Sequence, residues 1–582
     1  MANQLKIFQE FLTADSSRVK YPAPMGAAES VNLYFETNGQ NSYLRSVEGL
    51  RTKLQKDGTG EYQLLYVSSV GEEQYSFRPS LFAVRNGNLY RYNHNLSEEL
   101  LVEGIVVNGG EIHVSETGGE NPALLIVNGT DTLFMVRLKQ DNAPVIRIPL
   151  PKKISSDTDK IMASDIAVVS GSIVVLDKDT SFVYYSVAYP LSNEKRQVLR
   201  IEGGKVMYKE DGISPLYAMV TPDGRYAYDD ETGEMGEKLD SYNTVYSYAF
   251  LDDYGNRQYF SAESSSDVVN GLYTLGNLLV LFGTNSIEFY NRGDAESYRT
   301  WQRVSFTNYK EHGLHDRRTM ASVKGNIYYV GRSDFSTLSV NRVNGTAVEK
   351  VSPVWLDELL EASTCGYGFC FGVNGHDLYA LELETPDGSR TVVYDASTGL
   401  WHFRVSRRPD SSKLYKWAAR FVCRFENKLI CASNRYNSLF ELDRDYFCED
   451  TDGEPIPLYR SRTSPMLVSD YKPFIFAQMN IEGSVGTANR YQRKDDVWQG
   501  GRLVSGAPFN PRIFLEISND GGYTWGNTYE NRFGVSGDYS FRCIWNNMGM
   551  FRQCVIKIIY TEDTPFILSA ISMNVRGTVA CI

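Results

Sequence analysis

The sequence predicts an all-β protein: a β-propeller of six or seven blades, with an N-terminal extended arm and a C-terminal β-sandwich domain. Three observations predict it. Short apolar runs rich in Tyr, Phe and Ile are punctuated by Gly/Asn turns, as in GLYTLGNLLVLFGTNSIEFYNRG from Gly271 and TMASVKGNIYYVGRSDFSTLSVNRVNG from Thr319. These are strand and hairpin signals, and no helical period crosses them. Such units recur about every 42 to 50 residues, the spacing of propeller blades. The 39 Tyr, 28 Phe and 48 Gly among 582 residues suit pleated strands joined by tight turns.

Residues 1–60 carry few periodic strands and read as the arm. Pro22 and Pro24 hold YPAPMGAAESVNLYFETNG extended, and cannot donate to a ladder. Such an arm lies along a neighbouring surface, in this subunit or the next. Residues 61–452 read as the propeller. Its units open at Pro79, Asn121, Ala163, Val269, Thr319, Gly368 and Trp417. Seven strand-rich units can be counted, yet a propeller pairs strands from its two ends, so six blades and seven both fit. A β-sandwich array is the alternative arrangement. One gap, from 163 to 269, holds an extra acidic and Gly-rich piece near 191–240, ending in YAYDDETGEMGEKLD. It reads as an insertion on one blade's rim. DTDGEPIPLYRSRTSP, from Asp450, is a turn-rich linker with three prolines, so a cut near Gly453 is expected to leave two folded fragments. Beyond it, residues 456–582 carry longer strands without the blade spacing, which predicts the sandwich.

A chain of 582 residues exceeds what one core normally supports, so two or more domains are expected. The formal net charge of −12 argues against a protein that grips nucleic acid by its backbone. All eight cysteines (365, 370, 423, 431, 448, 543, 554 and 581) follow residue 364 without paired C-x₂-C spacing, so no zinc site is expected. MANQLKIFQEFLTADSS is polar and lacks a signal peptide's order, which predicts reduced thiols made in the cytosol. No apolar run approaches the ~20 residues of a spanning helix, so no membrane span is expected.

The most specific local pattern is Ser518-Asn519-Asp520-Gly521-Gly522-Tyr523-Thr524-Trp525. It fits S-x-D-x-G-x-T-W, the Asp-box turn of sialidase-like propellers, where it is a folding device away from the catalytic groups. One copy outside the repeats predicts a hairpin, with Asp520 accepting turn N–H groups and Trp525 capping by packing. A glycosidase needs two carboxylates about 5 to 10 Å apart. Asp252, Asp253, Asp377, Glu382 and Asp395 offer no selectable pair, and solvated turn positions are their expected role. Asp450-Thr451-Asp452-Gly453-Glu454 has only a fragment of a calcium loop. His312 and His315 lie in the connecting loop YKEHGLHDRR without a third ligand at a familiar spacing. His402 is expected to pack beside Trp401. No G-x-S-x-G, P-loop or Rossmann fingerprint occurs. No enzyme, catalytic residue, cofactor or metal is expected.

Several segments taken in order resemble one family. They are YLRSVEGL from Tyr43, GNLLVLFGTNSIEFYN, YKEHGLHDRRTMASVKGNIYYVGRS, VVYDASTGLWHF, SNDGGYTWG, WNNMGMFRQ and FILSAISMNV. They resemble the tail-hub or nozzle proteins of short-tailed bacteriophages, also called packaged-DNA stabilisation or tail accessory proteins. The resemblance runs from about Tyr43 onward and is strongest at 271–333 and from Glu516 to the end. It implies a structural virion protein with a β-propeller. Six copies would ring the tail axis below the portal and its adaptor, retaining the packaged genome until ejection. Tail fibre, spike or needle proteins are further implied partners, with double-stranded DNA passing through without tight binding. Localisation in the virion tail, after assembly in the host cytoplasm, follows. The acidic insertion and extra length depart from the shortest members and put the fibre and needle contacts in doubt. The alternative function is a carbohydrate- or receptor-binding propeller of sialidase-like fold without catalysis. A further alternative is an interaction scaffold of the kelch or WD type.

Overall fold

Each blade grows from one local event, an apolar run turned back on itself by a tight hairpin. Asn86-Gly87 joins Leu81–Arg85 to Asn88–Tyr92, and both turn residues have positive φ, 50° and 77°. That is the requirement of a type I′ turn, whose twist matches the flanking strands. Asn374-Gly375 repeats it at 50° and 89°.

The computed structural model describes residues 5–7, 10–13, 28–38, 41–186, 250, 257–451, 455–468, 472–484, 497–499, 502–504, 511–534, 540–576 and 580–581, and only strands within 187–249. Within those ranges, positions 108, 120–121, 143–144, 157, 263–266, 294–299, 311, 333–336 and 409–410 are not described.

Seven antiparallel blade sheets follow one another among the described residues. They open on Tyr62–Val67, His113–Glu116, Ala163–Val169, Val269–Leu275, Gly313–Leu314 with Ala321–Val323, Thr364–Val373 and Ala419–Phe425. The seventh sheet is completed by Gly49–Thr59, which pairs antiparallel with Tyr436–Asp443. A separate apolar cluster fills each interface between consecutive blades. One more, with Tyr62, Leu81, Phe425 and Ile430, joins blade seven to blade one and closes the ring. Of the two expected blade numbers, the structure has seven.

The units expected to open at Pro79 and Asn121 in fact open one strand earlier. Leu81–Arg85 and Ala123–Val127 are buried throughout, whereas Tyr62–Val67 and His113–Glu116 are largely half-buried. Central strands carry the densest apolar run and so dominate the sequence pattern.

The stretch expected as an extended arm is divided between the two halves of the molecule. Gly49–Thr59 belongs to blade seven. Leu33–Asn38 and Asn41–Ser46 form a hairpin whose second strand pairs with Ile567–Arg576 in the sandwich. Leu5–Ile7 pairs with the same strand, and Phe11 is fully buried in the sandwich core. Pro22 and Pro24 lie outside the described residues. The linker read as turns contains the strand Arg460–Thr463, buried along its length. It pairs with Gln553–Tyr560 and with Glu29–Val31, which also pairs in parallel with blade six at Val31 and Phe403. Blade six and one sandwich sheet are therefore a continuous sheet. The other sandwich sheet runs through Phe474–Ser484, Phe541–Phe551 and Ile567–Arg576.

The expected result of proteolysis at residue 453 changes accordingly. The two fragments should co-elute on gel filtration under native conditions, because residues 5–46 of the first complete the sheets of the second. Separate elution of two folded fragments would contradict this pairing.

The insertion interrupts blade three between Phe182–Tyr185 and its outermost strand Tyr259–Ser261. It forms a sheet of Arg196–Leu199, Tyr217–Val220, Tyr226–Tyr228 and Met235–Lys238, beside the hairpin Ile201–Glu202 and Lys205–Val206. Of the acidic run 229–240, only Met235–Lys238 lies within the described residues.

Candidate functional site: the propeller axis and the propeller–sandwich joint

First strands of successive blades adjoin one another around the propeller axis. Charged side chains there tie distant blades together. Asp165 of blade three is buried and accepts from Arg317 Nε of blade five at 2.6 Å and from the Leu272 N–H of blade four at 2.7 Å. His113 of blade two stands 3.8 Å away. Burial alone would raise the Asp165 carboxyl, but Arg317 and His113 outweigh it and hold it below the ordinary value. Arg420 of blade seven makes the second tie. Its Nε and Nη2 donate to the two oxygens of Glu382 on blade six, each at 2.7 Å, and its Nη1 donates to Glu61 before blade one, also at 2.7 Å. Arg317 and Arg420 are thus each paired with a carboxylate.

The joint is built around Asn32, which sits in the left-handed region at φ 51°. Its side-chain amide donates to Val405 O of blade six at 2.9 Å and to Tyr459 O ahead of the sandwich at 2.8 Å, and its oxygen accepts from Val405 N. Arg404, with no exposed side-chain surface, reaches Glu48 at 3.4 Å and lies over the rings of Trp417 and Phe371. Arg460 donates to the backbone oxygens of Thr564 and Glu562, and Arg462 to that of Phe11. Arginine suits this position because its stem packs and its fork satisfies carbonyls that no strand reaches. The alternation Arg-Ser-Arg-Thr reads as solvated in sequence and gives no sign of this burial. A cleft of about 370 Å³ opens beside the joint, between Arg390 and Phe403 of blade six and Tyr523, Trp525 and Lys557 of the sandwich.

The Asp-box octapeptide forms the turn its spacing predicts. Asp520 accepts from Tyr523 N at 3.0 Å, Thr524 N at 2.9 Å and Thr524 Oγ1 at 2.6 Å, and Ser518 Oγ donates to it at 2.7 Å. Gly521 and Gly522 supply φ of 79° and 97°. The Thr524 hydroxyl and backbone bonds hold the Asp520 carboxyl well below the usual range. Trp525 packs against Met466, Val468 and Val555. Asp520→Ala should lower the melting temperature of the sandwich at neutral pH, with a smaller deficit as the solution is acidified. The carboxylate's contribution is present above its ordinary pKa and is lost as pH falls. An unchanged melt at pH 7 would show that the turn holds without it.

The remaining sequence candidates do not converge. Glu382 and Asp395 are each 1% exposed, contrary to the solvated role expected of them. Glu382 is clamped by Arg420, and Asp395 pairs with His376 Nδ1 at 2.7 Å. Asp377 pairs with Lys324, and Asp252 and Asp253 lie outside the described residues. Asp450 accepts from Thr52 N at the end of blade seven. The His312 carbonyl accepts from the Tyr329 hydroxyl, and the His315 N–H donates to the Val330 carbonyl. His402 is buried on the strand face opposite Trp401, not beside it, because adjacent strand residues point to opposite faces. Burial pushes His402 down to about 3. No group of three or more His, Cys, Asp or Glu lies together among the described residues. Burial raises the Cys365 and Cys423 thiols to about 12. No helix among the described residues is long and apolar enough to cross a membrane.

Comparison with known proteins adds family evidence to this geometry. A family model described as bacteriophage P22 Gp10, beta-propeller, matches residues 247–447, and one described as bacteriophage P22 Gp10, beta-sandwich, matches 459–576. Together they cover more than half of the chain, and blades one and two and the first three strands of blade three lie outside the matches. No curated protein matches. Among solved structures, a catalytically inactive virginiamycin B lyase from Staphylococcus aureus is 10% identical, over 65% of this chain and 96% of that one, with a TM-score of 0.29. The Cps50 (Swd1) β-propeller domain of Myceliophteria thermophila is 8% identical, over 61% and 98%, at 0.27. An exo-β-1,3-galactanase from Phanerochaete chrysosporium is 8% identical, over 79% and 95%, at 0.22. Scores this low carry no argument. Both halves of the chain, in order, match the two domains of one phage protein, so the chain belongs to the family of bacteriophage P22 Gp10, the tail accessory proteins of short-tailed phages, and is a structural protein of the phage tail.

Proposed function

We propose that copies of this chain form a ring, a hexamer, that continues the DNA channel below the portal and adaptor proteins and retains the packaged genome until ejection. The observation that carries the reading is the pair of Gp10 matches, propeller then sandwich, on a chain whose N-terminal segment locks those two halves into one body. A tail hub bears the pressure of packaged DNA, and strands shared between domains resist separation where a flexible linker would not. Tail fibre, spike or needle proteins are the partners on the distal side. Assembly takes place in the host cytoplasm, where free buried thiols such as Cys431 stay reduced. The chain works without catalysis.

A net charge of −12 per copy supports a channel wall that repels the DNA it conducts. Negative-stain imaging of virions carrying a tag on this chain tests the reading. Label on the tail axis is expected, and label anywhere else overturns it. A receptor- or carbohydrate-binding role is the second reading, favoured by one observation: Tyr523, 58% exposed, stands at the mouth of the joint cleft beside Trp525.

A further inference from the structure

Against the acidic whole, one cleft concentrates cations. It holds about 160 Å³ between blades six and seven, and its walls carry Arg407, Arg408, Lys416 and Arg435 with no carboxylate among the described lining residues. Lys416 is engaged by Glu382 at 3.1 Å and Glu384 at 2.8 Å. No described carboxylate pairs with the three arginines. Instead Arg408 stacks on Tyr415 with its guanidinium carbon 3.7 Å from the ring centre, and Arg435 lies over Tyr436 at 5.1 Å.

A second observation points into the same cleft. Thr451, only 2% exposed, lines it with a hydroxyl that has no hydrogen-bond partner among the described residues. A buried hydroxyl without a partner costs stability unless a ligand or water completes it. Glu449, bonded to the lining Ser406 at 2.9 Å, does not neutralise the cations, because burial raises its carboxyl to about 8.

We propose that this cleft is a phosphate-binding site that takes backbone phosphodiesters of duplex DNA. Planar guanidinium forks match phosphate oxygens, and stacking on tyrosine fixes their orientation before the ligand arrives. Guanidinium contacts to phosphate oxygens read backbone and not sequence. Phosphate recognition here is a property of the single chain. DNA as the source of the phosphate rests on the tail reading, in which double-stranded DNA passes close by. One discrete site per copy would act as a catch on the genome within an otherwise repelling wall.

Anisotropy of a short labelled duplex with the full-length chain tests it, between about 50 mM and about 200 mM salt. The wild type should bind, and inorganic phosphate should compete. The combined variant Arg407→Ser, Arg408→Ser, Arg435→Ser should lose at least tenfold in affinity, with the salt slope falling by about 1 for each arginine that meets a phosphate. Arg532→Ser, an exposed arginine of the sandwich, should bind as the wild type does. Thermal melts of each variant verify folding, and single substitutions replace the triple if it melts early. Wild-type affinity in folded arginine variants overturns the site. Competition by inorganic phosphate that the arginine variants abolish, without duplex binding, overturns DNA as the ligand while leaving a phosphate site. Variant-sensitive binding to phosphatidylglycerol vesicles, again without duplex binding, makes the source a lipid headgroup and overturns the DNA proposal. Label off the tail axis in virions, with duplex binding intact, removes the ring reading and leaves the site standing.

Discussion

Replacing Arg420 by methionine should cost about 3–5 kcal/mol, the usual cost of removing one partner from a buried ion pair. In a chain of this size that corresponds to a drop in melting midpoint of about 3 °C. Arg420 is 3% exposed, and the Glu382 carboxylate it clamps is 1% exposed. Burial alone would raise that carboxyl, but Arg420 and then Lys416 reverse the sign and keep it ionised. Methionine fills the stem's volume and leaves the carboxylate with Lys416 alone, at 3.1 Å. The contact to Glu61 matters less, since that partner is 58% exposed and its charge is screened. Removing both charges, in Arg420→Met with Glu382→Met, should recover more than half of the loss. A single variant that melts with the wild type would show that the tie between blades six, seven and one carries no stability.

Why such a tie escapes sequence reading follows from its geometry. Glu382 and Arg420 sit on strands 38 residues apart, in alternating patterns where any charged residue reads as solvent-facing. Near a propeller axis that rule fails, because first strands converge and both faces of a blade are covered. Arg404, Arg460 and Arg462 mislead in the same way at the joint. The Asp box, by contrast, was legible because every atom of its turn comes from eight consecutive residues. Blade spacing was legible for a related reason: each blade is a local meander, and its hairpins announce themselves by turn chemistry, as at Asn374-Gly375. Ring closure by Gly49–Thr59 was not, since its partner Tyr436–Asp443 lies several hundred residues away and no local signal links them. The phase error at Pro79 and Asn121 has the same root. A half-buried inner strand is quieter than the fully buried strand that follows it.

Glu449→Gln should leave stability almost unchanged at pH 5 and raise it at pH 9. The carboxyl of Glu449 is 3% exposed, and burial lifts it from 4.5 to about 8 against the opposing pull of the Ser406 hydroxyl and Arg404. Its folded value lies above its unfolded one. The folded chain therefore holds a proton that the unfolded chain releases, and the associated stability is complete below about 4.5 and is lost as pH rises through about 8. At about 1.36 kcal/mol per unit, the loss amounts to several kcal/mol on the alkaline side. Glutamine resembles the protonated acid in shape and does not titrate, so its melting curve should lack this decline. His402 works in the opposite direction: its folded value of about 3 lies below the ordinary 6.5, so its contribution is present above 6.5 and erodes as pH falls toward 3. Both chains carry His402, so the difference between wild-type and Glu449→Gln melting points isolates the carboxyl. That difference should be near zero at pH 5 and widen through pH 8 in favour of the variant. A flat difference across the same range would mean that Glu449 is ionised in the folded protein. Arg404, whose Nε and Nη1 lack hydrogen-bond partners, would then have a second counter-charge beside Glu48.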